Sequence, residues 1–143
     1  MKKVVTFGEV MVRLAPSEHD RFAQSCPGSM DLTFGGAESS VAASISMLGG
    51  SSRFVSALPQ HAIADAFVRQ MRGFKVDVDH VLRREAGRFG IYYVETGANQ
   101  RPSRVIYDRD YSAVSMCSGE EYEWDSIFAD AQWLHISGIT LAI

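Results

Sequence analysis

Phe34-Gly35-Gly36-Ala37-Glu38-Ser39-Ser40-Val41-Ala42-Ala43-Ser44-Ile45-Ser46-Met47-Leu48-Gly49-Gly50 changes its hydrophobic period within a few residues. A short strand-like run from Met30 to Phe34 enters two glycines, and from Ala37 the apolar positions fall at Val41, Ile45 and Leu48. That i, i+4, i+7 spacing, widened by Ala42 and Ala43, predicts an amphipathic helix over 37–48. Gly49-Gly50 then supplies a glycine cap at its C-terminus. A strand, a glycine pair and a helix N-terminus in succession admit two readings. The glycines let backbone N–H groups approach a ligand where the helix end offers unpaired donors to hydroxyls or a carboxylate. Alternatively, they serve only a tight turn. The spacing fits neither the Walker A loop nor GxGxxG.

Outward from this block, residues 3–15 alternate apolar and polar positions and predict one long strand, or two strands bent at Gly8. Residues 16–27 are polar and turn-rich. After the helix, 52–58 predicts a strand, 62–72 a second helix ended by Gly73, and 76–82 another strand. This βαβαβ rhythm implies an α/β fold with a parallel sheet and right-handed crossovers. Phe89 to Glu95 and Arg104 to Arg109 then form a hairpin joined through Gly97, Asn99 and Pro102. A short helix is expected over Trp124–Asp130 and a buried-type strand over Gln132–Ser137. The sequence runs six residues further to Ile143 and reads as unfinished, because ligand-binding loops of open α/β sheets begin at such strand ends.

Composition sets the bounds. With 143 residues, 46% hydrophobic and 22% charged, the chain is the length of one globular domain. No apolar run approaches the roughly 20 residues of a membrane helix, and a net charge of −3 argues against nonspecific nucleic-acid binding. Cys26 and Cys117 form no CxxC pair, and the four histidines show no HxxxH spacing, so neither a structural metal nor a disulfide framework is expected. A reducing, cytoplasmic setting follows as the default. Of eleven arginines, six fall between positions 83 and 109 (Arg83, Arg84, Arg88, Arg101, Arg104, Arg109).

The hairpin holds the second group of candidate residues. Tyr107 and Arg109 are two apart on a strand and share a face, and Tyr92 joins them if the register allows. A phenol beside a guanidinium suits a polyhydroxylated acid, since arginine grips a carboxylate bidentately. Aromatic pairs and edge charges are also ordinary sheet devices. Glu9, just past Gly8 where an α/β ligand cleft would open, could orient a loop or meet a ligand, but a solvated carboxylate at a bent strand is the favoured reading. His135 reads as a satisfied core histidine, and Met11, Met30, Met47, Met71 and Met116 as core filler.

The segments VVTFGEVMVRLAP, FGGAESSVAASISMLGG, RFGIYYVE, RVIYDR and WLHISGIT, in this order and spacing, resemble the ribokinase-like (phosphofructokinase B type) carbohydrate kinases. The tyrosine and arginine pattern is similar to the branch acting on 2-keto-3-deoxygluconate. The resemblance implies a Rossmann-like parallel sheet with flanking helices and a small β lid built from about 9–34 and 88–110. Residues 1–143 would be the N-terminal part of a single sugar-kinase domain. It implies ATP-dependent phosphorylation of the sugar acid to its 6-phosphate, with Mg²⁺ on the nucleotide and a homodimer formed through the lid. Carried over by position, Gly35, Gly36 and Ser40 would meet sugar hydroxyls, Tyr92 and Tyr107 would lean on the substrate, Arg109 would hold its carboxylate, and Ile139 would line the pocket. The catalytic aspartate of a GAGD segment and the nucleotide site would lie past Ile143, so no catalytic, cofactor or metal ligand is expected within the chain.

Three departures stand out. There is no GAGD segment, Ser40 stands where the family usually has asparagine, and Ala62 and Ala64 replace an expected aspartate and glycine, removing a helix cap. A truncated or degenerate homologue that binds a sugar acid or dimerises without catalysis is one alternative. A kinase for another sugar such as fructose is the other.

Overall fold

The alternating stretch at the N-terminus forms two strands, β1 (Lys3–Phe7) and β2 (Met11–Ala15), with the bend at Gly8–Val10. In the computed structural model, which describes residues 2–142, there follow α1 (Phe22–Ser25), β3 (Asp31–Gly35), α2 (Ala37–Met47), β4 (Ser52–Val55), β5 (Ala57–Pro59) and α3 (Ala62–Gly73). The remainder comprises β6 (Leu82–Arg84), β7 (Ile91–Glu95), β8 (Arg104–Asp108), a 3₁₀ turn at Gly119–Glu121, α4 (Trp124–Phe128) and β9 (Ala131–His135). A parallel sheet runs β4-β1-β9, and β5 pairs with β6 in parallel. A four-stranded sheet runs β3-β2-β7-β8, with β2 and β7 parallel and both outer pairs antiparallel.

Strands β4 and β5 are buried along their whole length because both of their faces are covered. Phe54 and Leu58 face a cluster with Val10, Val12, Phe67, Met71 and Phe89. Val5, Val55 and Ala57 face Ala113, Val114, Tyr122 and Ile127 on the other side. A chain of edge-to-face and stacked rings, Phe54–Phe67–Phe34–Phe89, carries the first cluster into the four-stranded sheet. Helix α2 ends as its glycines predict. Gly49 has φ +88°, and the Gly49 and Gly50 amides donate to the Ser46 and Ile45 carbonyls at 3.1 and 2.9 Å, a Schellman motif.

Several expectations are corrected. The buried face of α2 is not Val41–Ile45–Leu48, since Leu48 is 88% exposed, but Glu38, Ser39, Ala42 and Ser46. Small residues let the helix sit close to β4, where the Ser52 hydroxyl donates to the Ala42 carbonyl at 2.8 Å and shares a 2.7 Å bond with Ser46. Residues 76–82 do not form a strand. Asp77 makes only an isolated bridge to Arg53, then accepts the Asp79 amide at 3.1 Å in an Asx turn, and pairing resumes at β6. The 52–58 strand is broken at Ser56 into β4 and β5. Of the five methionines expected as core filler, Met11 and Met71 are buried in the core, whereas Met47 and Met116 are exposed. Gln132–Ser137 is not a buried strand: among the described residues β9 is an edge paired only to β1, Trp133 is 68% exposed, and His135 is half-buried there rather than enclosed. Helix α3 keeps a cap despite Ala62 and Ala64, because His61 Nδ1 accepts the Ala64 amide at 3.3 Å.

Candidate functional site

The β2–β7 and β7–β8 registers decide which side chains can act together. Thr33, Arg13, Tyr92 and Tyr107 are directly opposite one another across β3, β2, β7 and β8, so all four share one face of the sheet. The Tyr92 and Tyr107 rings lie 6.1 Å apart, and the Arg109 guanidinium sits 5.9 Å from the Tyr107 ring centroid. The tyrosine–arginine grouping expected from the hairpin is thus assembled. Burial raises the Tyr92 phenol above its ordinary pKa, with a smaller push from Tyr107 in the same direction, and these outweigh the nearby Arg13 cation, which lowers it. Tyr92 is therefore a neutral donor throughout the physiological range.

Gly35 and Gly36 belong to the same neighbourhood, for a steric reason. A Cβ on Gly35 would collide with the Tyr92 hydroxyl, and one on Gly36 would lie 2.6 Å from the Glu9 carbonyl oxygen and 3.1 Å from Val10 Cα. Gly36 itself is extended, with φ −176°, so close approach rather than backbone conformation excludes a side chain. Ser40 is exposed and is not part of this group. It lines a crevice of about 80 Å³ between α2 and α3 with Phe34 and Gln70, and Phe34 lies on the opposite face of β3 from Thr33 and Gly35. Ile139 is half-exposed in the turn after β9.

Two acidic residues hold this region together, Glu9 against the favoured reading of the sequence and Glu38 without any signal in it. Glu9 is not solvated: it is 5% exposed, and one of its oxygens accepts from Arg109 Nη2 in an ion pair that joins the β1–β2 bend to the end of β8. Its other oxygen has no partner among the described residues and lies 3.0 Å from where a Cβ of Gly90 would stand. Glu38, in the first turn of α2, is 2% exposed. Its Oε1 accepts the Ser137 amide at 2.8 Å and the Thr140 hydroxyl at 2.5 Å. Burial pushes its pKa up, but these hydrogen bonds outweigh burial and hold the carboxyl below its ordinary value. The carboxylate also packs on Gly8, where a Cβ would overlap it. Glu38 therefore ties the glycine turn, the end of β1 and the Ile139 turn into one unit. In a sequence, a first-turn glutamate reads as a solvated partner of the helix dipole.

Arg13 was also missed. Alternation puts it on one face with Met11 and Ala15, but only the register with β7 sets it beside Tyr92. Most arginines of the 83–109 cluster are engaged within the protein. Arg83 pairs with Asp65, Arg84 with Glu121 and Arg88 with Asp108, while Arg101 donates to the Thr96 carbonyl at 3.0 Å. Among the described residues no group of His, Cys, Asp or Glu is arranged to hold a metal ion, and no helix is long and apolar enough to cross a membrane. The assembled donors are phenols, guanidinia and turn amides, a set that suits a hydroxylated anion.

Residues 1–142 match the pfkB family of carbohydrate kinases. A 2-dehydro-3-deoxygalactonokinase of Haloferax volcanii is 38% identical over 99% of this chain and 43% of its own length. A fructokinase of Klebsiella pneumoniae is 30% identical over 98% of this chain and 42% of its own. The crystal structure of a 2-dehydro-3-deoxygluconokinase from Thermotoga maritima superposes with a TM-score of 0.92 at 46% identity, covering 98% of this chain and 42% of that one. The chain thus spans less than half the length of these relatives. The match along residues 1–142, together with a fold shared at that TM-score, identifies the chain as a member of the PfkB family of carbohydrate kinases.

Proposed function

We propose that this chain forms the sugar-binding side of an ATP-dependent sugar-acid kinase, whose substrate is 2-keto-3-deoxygluconate (the same compound as 2-dehydro-3-deoxygluconate) and whose product is the 6-phosphate. The observation that carries this reading is the convergence of Tyr92, Tyr107 and Arg109 on the face that also holds the Gly35-Gly36 turn. In this reading Gly35 and Gly36 offer the turn backbone to sugar hydroxyls, and Ser40 reaches them only if α2 and its ligand meet on the α3 side. Tyr92 and Tyr107 donate phenolic hydrogen bonds, Arg109 donates to the carboxylate, and Ile139 supplies an apolar wall. The four-stranded sheet acts as a lid, and its exposed Leu32 and Ile106 suit a homodimer contact. Mg-ATP supplies the phosphoryl group, and among the described residues no carboxylate cluster is arranged for its metal.

A second reading, a kinase for a neutral sugar such as fructose, draws support from the fructokinase relatives and from the fact that Glu9 already neutralises Arg109. Steady-state assays of the full-length protein with ATP separate the two. The sugar-acid reading expects kcat/KM for 2-keto-3-deoxygluconate to exceed that for fructose at least about tenfold, the worth of one charge-assisted contact. A preference for fructose overturns it. Calorimetric binding of the acid without turnover would instead assign a binding protein that has lost catalysis.

A further inference from the structure

Arg109 has been treated as the cation for the substrate carboxylate, yet its charge is already balanced. Its guanidinium is paired with Glu9, whose side chain is 3% exposed. An Arg–Glu pair of this kind can still present N–H donors, but it brings no net positive charge to an anion. The same face has a second arginine in a different state. Arg13 is half-buried in the middle of β2, flanked in register by Thr33 on β3 and Tyr92 on β7. Among the described residues its guanidinium makes neither an ion pair nor a hydrogen bond, although Arg53, Arg72, Arg83, Arg84, Arg88, Arg101 and Arg109 all do. Its charge reaches Tyr92, whose phenol it pulls against the effect of burial.

A guanidinium left without a partner in the centre of a sheet is unusual. The long side chain loses rotamer freedom and part of its hydration there, and neither loss is offset by a bond within the protein. The row Thr33–Arg13–Tyr92–Tyr107 presents a hydroxyl, a free cation and two phenols at successive strand spacings of about 5 Å. A carboxylate seated against Arg13 could be held bidentately, with the neighbouring phenol and hydroxyl within reach of the ketone or the hydroxyl chain of the same molecule.

We infer that Arg13 supplies the uncompensated positive charge that selects an acidic substrate, while Arg109, tied to Glu9, contributes donors but no net charge. This inference rests on the sugar-acid reading above and names the residue that would enforce it.

The experiment compares two substrates of the full-length protein that differ only at the acid: 2-keto-3-deoxygluconate, and 3-deoxyfructose, which has a hydroxymethyl group in place of the carboxylate. In Arg13→Met the ratio of kcat/KM for acid over neutral sugar is expected to fall about 10- to 100-fold, with kcat/KM for the neutral sugar nearly unchanged. Arg13→Lys, which keeps the charge and loses the fork, is expected to fall only several-fold, and it carries the test if the methionine variant does not fold. Arg104→Met, on the opposite face of β8 from Tyr107, should leave the ratio at the wild-type value. Calorimetric Kd values for the acid in the absence of ATP should follow the same order. An acid-to-neutral ratio in Arg13→Met within threefold of wild type overturns the assignment, as does an equal loss for both substrates, which would make Arg13 structural. If the wild-type protein itself shows no preference for the acid, the substrate reading fails first and this inference with it.

Discussion

Replacing Arg53 with methionine is expected to destabilise the protein by about 3 kcal/mol, a large share of the 5–15 kcal/mol that holds a typical domain together. Arg53 lies on β4 and is 6% exposed. Its Nε donates to Asp77 at 2.9 Å, while Nη1 donates to Asp130 at 2.8 Å and to the Ile127 carbonyl at 2.5 Å. Lys3 reaches the same two aspartates at 2.9 and 3.0 Å. Two cations and two anions thus fasten the start of β1, the middle of β4, the Asp77 turn and the α4–β9 junction. Methionine fills most of the volume but leaves the Ile127 carbonyl and one side of Asp77 without partners. The estimate stays at the lower end of the range for broken buried pairs because Asp130 is 44% exposed and can regain water.

The network also fixes a pH dependence. Burial would raise the Asp77 pKa, but Lys3, the Asp79 amide and Arg53 together lower it to about 2. Because the folded-state value lies below the unfolded one, this contribution is fully present above about pH 4. It is lost as pH falls through about 2. Urea unfolding at pH 7 and pH 3 should show wild type losing more stability between the two than Arg53→Met does. An Arg53→Met unfolding free energy within about 0.5 kcal/mol of wild type at pH 7 would sink this account, since that is the spread expected for inconsequential surface changes.

What was legible in the sequence follows the range of the interactions. The α2 boundaries and the Gly49-Gly50 cap are local, and both appear where periodicity and glycine chemistry put them. The Tyr92–Tyr107 pairing was half legible, since a hairpin brings its own strands together and leaves only the register open. The face of α2 was misread because apolar side chains were taken to mark the buried side. Against a closely approaching sheet the small residues go inward instead, and the Ser46 and Ser52 hydroxyls satisfy each other there. The 76–82 stretch has strand composition, but Asp77 is drawn to Lys3 and Arg53 and turns the chain. The burial and partner of Glu9, and the roles of Glu38 and Arg13, were missed for a different reason. Glu9 meets Arg109 across 100 positions of chain, and Glu38 meets Ser137 and Thr140 across 99 and 102. No local pattern encodes such a pairing; it emerges only when β1, β2 and β9 come together.

Truncating Glu38 to alanine is expected to loosen the candidate site and the fold together. The substitution orphans the Ser137 amide and the Thr140 hydroxyl, and it empties the space over Gly8 that the carboxylate fills. Two hydrogen bonds to a buried charge, at roughly 1.5 kcal/mol each, put the loss near 3 kcal/mol. The turn carrying Ile139 loses its anchor to the helix that begins at Gly36, so affinity for the sugar acid should fall as well, by about tenfold or more if one ordered contact is lost. Glu38→Gln separates charge from shape. Its amide oxygen can still accept both bonds, so stability should drop by about 1 kcal/mol. Because hydrogen bonds hold the Glu38 pKa below its ordinary value, the wild-type contribution is present at neutral pH and is lost as pH falls through that lowered value. The glutamine variant should lack this acid-side loss. Hydrogen exchange gives the most direct readout, since the Ser137 amide should be protected in wild type and in Glu38→Gln and exchange freely in Glu38→Ala. Equal Ser137 protection in all three would mean that β9 positions the turn by itself, and that Glu38 fills space over Gly8 without organising the site.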